Sequence, residues 1–205
     1  MLSAENSLVL VIDIQEKLVK ALEKDTIISK ASKIVEGARI LDIPVLFTEQ
    51  YPKGLGKTVA ELQMSPRPYP LPMGEGVSVN EQSECYTNWK GGNVTGEVIE
   101  KTYFNALLEE GFLEKIKSYG KKQIVIMGIE THICVYQTAC ALVDEGFEVY
   151  AIKDACASRN KYEFKQGIES MKDNGVKISC VEIALFEWLK GSKHPKFKEV
   201  QALIK

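Results

Sequence analysis

Residues 123–159 read QIVIMGIETHICVYQTACALVDEGFEVYAIKDACASR, and this stretch decides the fold. Gln123 to Met127 is a continuous apolar strand run stopped at Gly128. A helix follows from about Thr131 to Glu145, and Glu148 to Ile152 is the next strand. A strand, a helix and a strand in direct succession make a parallel crossover unit.

The same alternation runs outward in both directions. Upstream, Leu8 to Ile12 is a run of β-formers ending at Asp13. Ile27, Ile28, Ala31, Ile34, Val35, Ala38 and Leu41 follow at helical spacing, and Pro44 opens a strand over Val45 to Thr48. Val98 to Glu100 is a short strand ending at Lys101. Leu107, Leu108, Phe112, Leu113 and Ile116 form a helical stripe after Asn105, a capping residue. Downstream, a helix spans Tyr162 to Asn174 with Gly175 as its stop, and Val176 to Ser179 is the last strand. Two helical pieces split by Pro195 close the chain. This pattern predicts an α/β fold, a parallel sheet covered by helices on both faces in three layers, α/β/α. The strand order is not readable from it.

One stretch breaks the rhythm. From about residue 49 to 97 no period holds, and the segment contains SPRPYPLP at 65–72, then Gly74, Gly76, Gly91 and Gly92. Its aromatics, Tyr51, Tyr69, Tyr86 and Trp89, favour an ordered lid or interface over a linker. With 205 residues and 45% hydrophobic content, the whole chain reads as a single domain carrying this excursion.

Composition excludes several classes of function. Lys plus Arg is 26 and Asp plus Glu is 28, so no basic surface marks a nucleic-acid partner. No run reaches the ~18 apolar residues of a membrane span. The N-terminus, MLSAENSLVLVIDIQ, has no early basic residue and does not read as a secretory signal. Five cysteines at wide spacing, Cys85, Cys134, Cys140, Cys156 and Cys180, read as reduced thiols of a cytoplasmic protein. GLGKT at 54–58 lacks the first glycine of a phosphate loop, because position 51 is Tyr51. The turn after the first strand, Ile14-Gln15-Glu16-Lys17, lacks the glycines of a dinucleotide site.

In open parallel sheets, ligands bind beyond the carboxyl ends of the strands. Three reactive side chains fall at or just past such ends: Asp13, Lys101 and Cys134. Cys134 lies in the first turn of its helix, where free N–H groups favour an anion, so a lowered thiol pKa is expected. Asp13 is the candidate base. Each residue alone has a bland reading: a packed thiol, a loop cap, a solvated lysine. Their recurrence together is what points to a site. His132 is two residues from Cys134, so the two would not face each other on a helix, and His132 lines the pocket or packs on the turn.

The chain resembles the isochorismatase-like cysteine hydrolases. The resemblance rests on LVLVIDIQEKL (8–18), GARILDIPVLFTEQYPKGLGKTVAEL (37–62), VIEKTYFNALL (98–108) and the 123–159 stretch, in which GIETHICV is the specific element. It implies a six-stranded, Rossmann-like parallel sheet. It also implies a catalytic triad of Asp13, Lys101 and Cys134, with the backbone N–H groups of Glu130 and Cys134 as the oxyanion hole. A cis peptide at Ile129–Glu130 is expected on the same ground. Gln15, Tyr51, Phe104 and His132 are the candidates to bind the substrate, a small molecule.

Two departures narrow that expectation. The segment Thr48-Glu49-Gln50-Tyr51-Pro52 has no histidine, unlike the Asp-x-His metal site of the related nicotinamidases. Neither metal nor other cofactor is therefore expected. Enzymes of the family acting on isochorismate often lack the cysteine, so its presence points to an amide-type substrate and a thioester. The alternative is a non-catalytic interaction or ligand-binding protein of the same fold. Family members usually form homo-oligomers, and Ile183, Leu185, Phe186, Trp188 and Leu189 offer apolar surface for one.

Overall fold

The structure is a computed structural model that describes residues 1–22, 26–63 and 96–205. Its centre is a six-stranded parallel sheet in the order β3-β2-β1-β4-β5-β6. The strands are β1 (Ser7–Ile12), β2 (Val45–Gln50), β3 (Glu97–Lys101), β4 (Gln123–Ile129), β5 (Glu148–Ala157) and β6 (Lys177–Ser179). Every residue of β1 and β4 is buried. That is why both read as unbroken apolar runs rather than alternating ones: each face of a central parallel strand is covered.

The helices are α1 (Glu16–Leu22), α2 (Thr26–Ile40), α3 (Pro52–Leu55), α4 (Ala60–Gln63), α5 (Phe112–Ser118), α6 (Tyr136–Asp144), α7 (Lys161–Asp173), α8 (Val181–Leu189) and α9 (Phe197–Ala202). α2 packs with α8 and α9 on one face of the sheet, while α6 and α7 pack together on the other. Ala31, Ile34, Val35 and Ala38 of α2 are buried, as the three-and-four spacing requires. The three-layer expectation holds.

Several boundaries differ from the sequence reading for physical reasons. The stripe after Asn105 splits in two. Asn105 accepts the Leu107 N–H, but the short 3₁₀ turn Ala106–Leu108 ends before Gly111, whose φ of 76° interrupts the helix. β5 runs on to Ala157, because Ile126 pairs with Ala151 whereas Gly128 pairs with Cys156. The strand bulges between these points and then resumes. The start of the aperiodic excursion is ordered as the end of β2, α3 and α4. Tyr69, Cys85, Tyr86 and Trp89, with the proline-rich run, lie outside the described residues. Cys134, Cys140, Cys156 and Cys180 are free thiols.

Of the residues expected to offer an oligomer face, Leu185, Trp188 and Leu189 are buried within the subunit. Trp188 donates its indole N–H to Ser7 Oγ at 2.9 Å. Ile183 and Phe186 remain exposed.

Candidate active site

The strand order reverses between β1 and β4. β1 is followed in sequence by its neighbour on one side, and β4 by its neighbour on the other, so the connections diverge at the carboxyl ends, the place where open α/β sheets bind ligands. Asp13 leaves the end of β1 and Cys134 sits in the turn after β4, so both stand at this switch point. Lys101 ends β3, two strands away from β1, and its long side chain spans the gap.

Lys101 Nζ lies 2.7 Å from Asp13 Oδ2, and both side chains are fully shielded from solvent. The ammonium also donates to Gln50 Oε1 at 2.6 Å and to the Tyr103 carbonyl at 3.2 Å. The ammonium thus makes two hydrogen bonds beside the ion pair. The other carboxylate oxygen, Asp13 Oδ1, accepts the Thr48 hydroxyl at 2.6 Å. Asp13 itself adopts the left-handed conformation, φ 51°. The pair is held by hydrogen bonds from β2 and to the loop after β3, while Asp13 Oδ2 has the ion pair but no hydrogen-bond partner among the described residues.

Asp13 and Lys101 both act on the Cys134 thiol, in opposite directions. The residue keeps 7% of its surface exposed, against 0% for Asp13 and 2% for Lys101. All three residues of the trio are buried, Cys134 the least completely. Burial, and then the Asp13 charge, push its pKa up to about 12, with Lys101 opposing. This corrects the expectation of a lowered pKa. The helix-terminus effect is worth tenths to about 1 kcal/mol at an exposed site, and desolvation beside a carboxylate outweighs it.

The turn that carries Cys134 is also not a plain helical first turn. Thr131–Val135 is a π-turn, and the N–H groups of both Ile133 and Val135 close on the Glu130 carbonyl, at 3.1 and 3.2 Å. The Cys134 N–H between them does not. The Ile129–Glu130 peptide is cis, as expected. Two glycines let the backbone come this close. A Cβ on Gly128 would stand 2.0 Å from the Ile12 carbonyl oxygen, and one on Gly167 of α7 would stand 2.8 Å from His132 Cα.

The four substrate-binding candidates separate. Tyr51 and Phe104 are 59% and 54% exposed. The Tyr51 N–H donates to the Lys101 carbonyl at 3.0 Å, and the Phe104 carbonyl accepts from Thr138 Oγ1 at 3.4 Å, one helical turn past Cys134. Both stand on loops tied to the site. Gln15 is fully buried. Its amide donates to the Gln50 and Gly56 carbonyls at 3.1 and 2.6 Å and accepts the Gln50 N–H at 2.8 Å. It joins the ends of β1 and β2. His132 turns toward β5 and α7, with Nδ1 3.0 Å from Ser158 Oγ.

Gln50 was not legible as a site residue, because nothing in a lone glutamine at a strand end signals that it anchors a lysine 51 positions on. Glu109 is similar: its carboxylate accepts the N–H groups of Thr102 and Tyr103 and so fixes the loop whose carbonyl holds Lys101. Glu49 is buried, accepting the Thr58 N–H at 2.7 Å. Among the described residues no three His, Cys, Asp or Glu side chains converge as a metal would require, and no helix is long and apolar enough to cross a membrane.

A doubly wound parallel sheet with Asp13, Lys101 and Cys134 gathered at its switch point defines the class: a three-layer α/β protein with a hydrolase type of fold. The chain belongs to the isochorismatase family, a family of hydrolases, whose isochorismatase domain model matches residues 7–183. Isochorismatase domain-containing protein 1 of Danio rerio is 33% identical over 205 residues, all of this chain but 62% of that protein. The chain thus spans less than two thirds of that relative's length. Isochorismatase domain-containing protein 2 of Xenopus laevis is 33% identical over 204 residues, 99% of this chain and 85% of that protein. Among solved structures, one described as the MAR1 ribonuclease of Caenorhabditis elegans superposes with a TM-score of 0.80 at 30% identity. The match covers 99% of this chain and 91% of that one.

Proposed function

We propose that this protein hydrolyses an amide-type C–N bond of a small molecule through a thioester on Cys134. The observation that carries the reading is a thiol within electrostatic reach of a fully buried Asp13–Lys101 ion pair at the carboxyl ends of the strands. Because the thiol is held neutral at pH 7, the proton passes to Asp13 as the S–C bond forms, rather than before. Lys101 keeps the carboxylate in place and offsets its charge. The carbonyl oxygen becomes an oxyanion, received by the N–H groups of Glu130 and Cys134. Collapse expels the amine, which takes the proton from Asp13. Water then attacks the thioester, losing its proton to Asp13, and the acid departs as the thiol is restored.

Tyr51 and Phe104 stand at the rim and contact the substrate in this reading. No metal is invoked, since TEQYP at 48–52 lacks the histidine of a metal site and Glu49 is already engaged by Thr58 and Lys57. The name ribonuclease belongs to the nematode relative. We also place the protein in the cytoplasm as a homo-oligomer, with Ile183 and Phe186 as its exposed apolar contacts.

The test is ammonia release from a panel of small primary amides. Wild type is expected to release ammonia from at least one of them, and Cys134→Ala and Asp13→Asn from none. Retention of activity in Cys134→Ala would refute the mechanism.

A further inference from the structure

Beside Cys134 stands a second polar cluster that acyl transfer does not use. It joins Glu130 and His132 of the nucleophile turn to Ser158 and Arg159, which follow β5, and to Glu163 in the first turn of α7. Arg159 Nε lies 2.8 Å from Glu130 Oε1, and the Arg159 N–H donates to the same oxygen at 3.3 Å. His132 Nδ1 lies 3.0 Å from Ser158 Oγ. On its other side, His132 Nε2 faces Glu163 Oε2 at 3.6 Å and Glu130 Oε2 at 3.8 Å. The two carboxylates favour the tautomer with its proton on Nε2, leaving Nδ1 to accept the serine hydroxyl.

A serine, a histidine and two carboxylates could be taken for a second catalytic group. Ser158 is fully buried, so no substrate reaches its hydroxyl. The cluster instead braces the turn. Glu130 is tied to the chain after β5, His132 to Ser158 and α7, and the backbone at His132 rests on Gly167, where no Cβ fits.

We propose that Arg159 and His132 are positioning residues that hold the Glu130–Cys134 turn so that its N–H groups meet a developing oxyanion. This rests on the acyl-transfer reading of Cys134. The physical reason is charge. Without the guanidinium, the nearly buried Glu130 carboxylate and Glu163 converge on one imidazole with no permanent cation between them. Glu130 then swings toward water, and its backbone N–H turns with it. The thiol, held separately by Asp13 and Lys101, is unaffected.

Two probes of the same sulfur separate these effects. p-Nitrophenyl acetate acylates it: the S–C bond forms at the ester carbonyl, an oxyanion develops, p-nitrophenolate leaves, and the thiol proton goes to Asp13. Iodoacetamide alkylates it by displacing iodide, with no oxyanion. Arg159→Ala and His132→Ala are expected to slow acylation of Cys134 about tenfold or more while alkylation stays within about twofold. Arg159→Lys, which restores a cation, is expected to recover much of the loss. Should Arg159→Ala fail to fold, Glu130→Gln keeps the volume, loses the ion pair, and is expected to give the same split. Equal slowing of both reactions, or no change in either, would overturn the proposal. A wild type that is alkylated at Cys134 but never acylated would instead remove the thioester reading, and this proposal with it.

Discussion

Gly128→Ala adds one methyl group at the point where β4 presses on β1. The added Cβ would stand 2.0 Å from the Ile12 carbonyl oxygen, 2.7 Å from its carbon and 2.9 Å from Ile12 Cα. All three are backbone atoms, so no side-chain rotation relieves the clash. A carbon–oxygen contact relaxes near about 3.3 Å, which requires the strands to part by about 1.3 Å. Overpacking of this kind costs ~1–3 kcal/mol. The φ of 142°, open to glycine and strained for alanine, adds ~1–3 kcal/mol. A total of ~2–6 kcal/mol lowers the unfolding midpoint of a chain this size by about 5–20 °C. Function suffers as well, because Asp13 follows Ile12 directly. Parting β1 from β4 moves the carboxylate away from Cys134, and a displacement of ~1 Å in such a site can cost ~100-fold in rate. Thermal unfolding by circular dichroism, read beside acylation of Cys134, measures both. A midpoint within about 1 °C of wild type with an unchanged acylation rate would refute the reasoning.

Other outcomes follow from the same geometry. Lys101→Met leaves the Asp13 carboxylate buried with the Thr48 hydroxyl as its side-chain partner and is expected to cost ~3–5 kcal/mol in denaturant unfolding. The double variant Asp13→Leu/Lys101→Met is expected to regain part of that stability while remaining inactive, since it removes both charges together. Alkylation of Cys134 by iodoacetamide is expected to climb with pH without levelling off below about pH 10, because burial and Asp13 hold the thiol neutral. A plateau near neutral pH would contradict the raised pKa. The fold is also expected to lose stability between about pH 9 and 12. Cys134 and Cys156 stay protonated to about 12 in the folded chain, while unfolded thiols ionise from about 8.5 upward, so rising pH favours the unfolded state. Chemical denaturation at stepped pH values measures this loss, and flat stability across that window would contradict it.

The sheet was legible where burial on both faces leaves an unambiguous record, as in LVLVI and QIVIM. Asp13 and Lys101 were legible as charged residues terminating apolar runs. Strand order was not, because the side chains of a buried strand do not state their neighbours. The environment of Cys134 was misjudged for an identifiable reason. Sequence places the thiol at a helix start, but burial depth and the approach of Asp13 arise from packing, and these reverse the direction of the shift. Gln15, a candidate to bind the substrate, has its amide engaged in tying two strand ends together, a contact no local period encodes. Gln50, Glu109 and Gly167 escaped notice because each acts on a residue distant in sequence, through contacts that no local period encodes.

The central claim is that Cys134 carries an acyl group covalently. Intact-protein mass of wild type and of Cys134→Ala, taken soon after mixing with p-nitrophenyl acetate and followed by peptide mapping, tests it directly. The predicted result is one acetyl group on wild type, located at Cys134 and lost with time, and none on the variant. An adduct of equal extent on Cys134→Ala, or none on wild type, would contradict it.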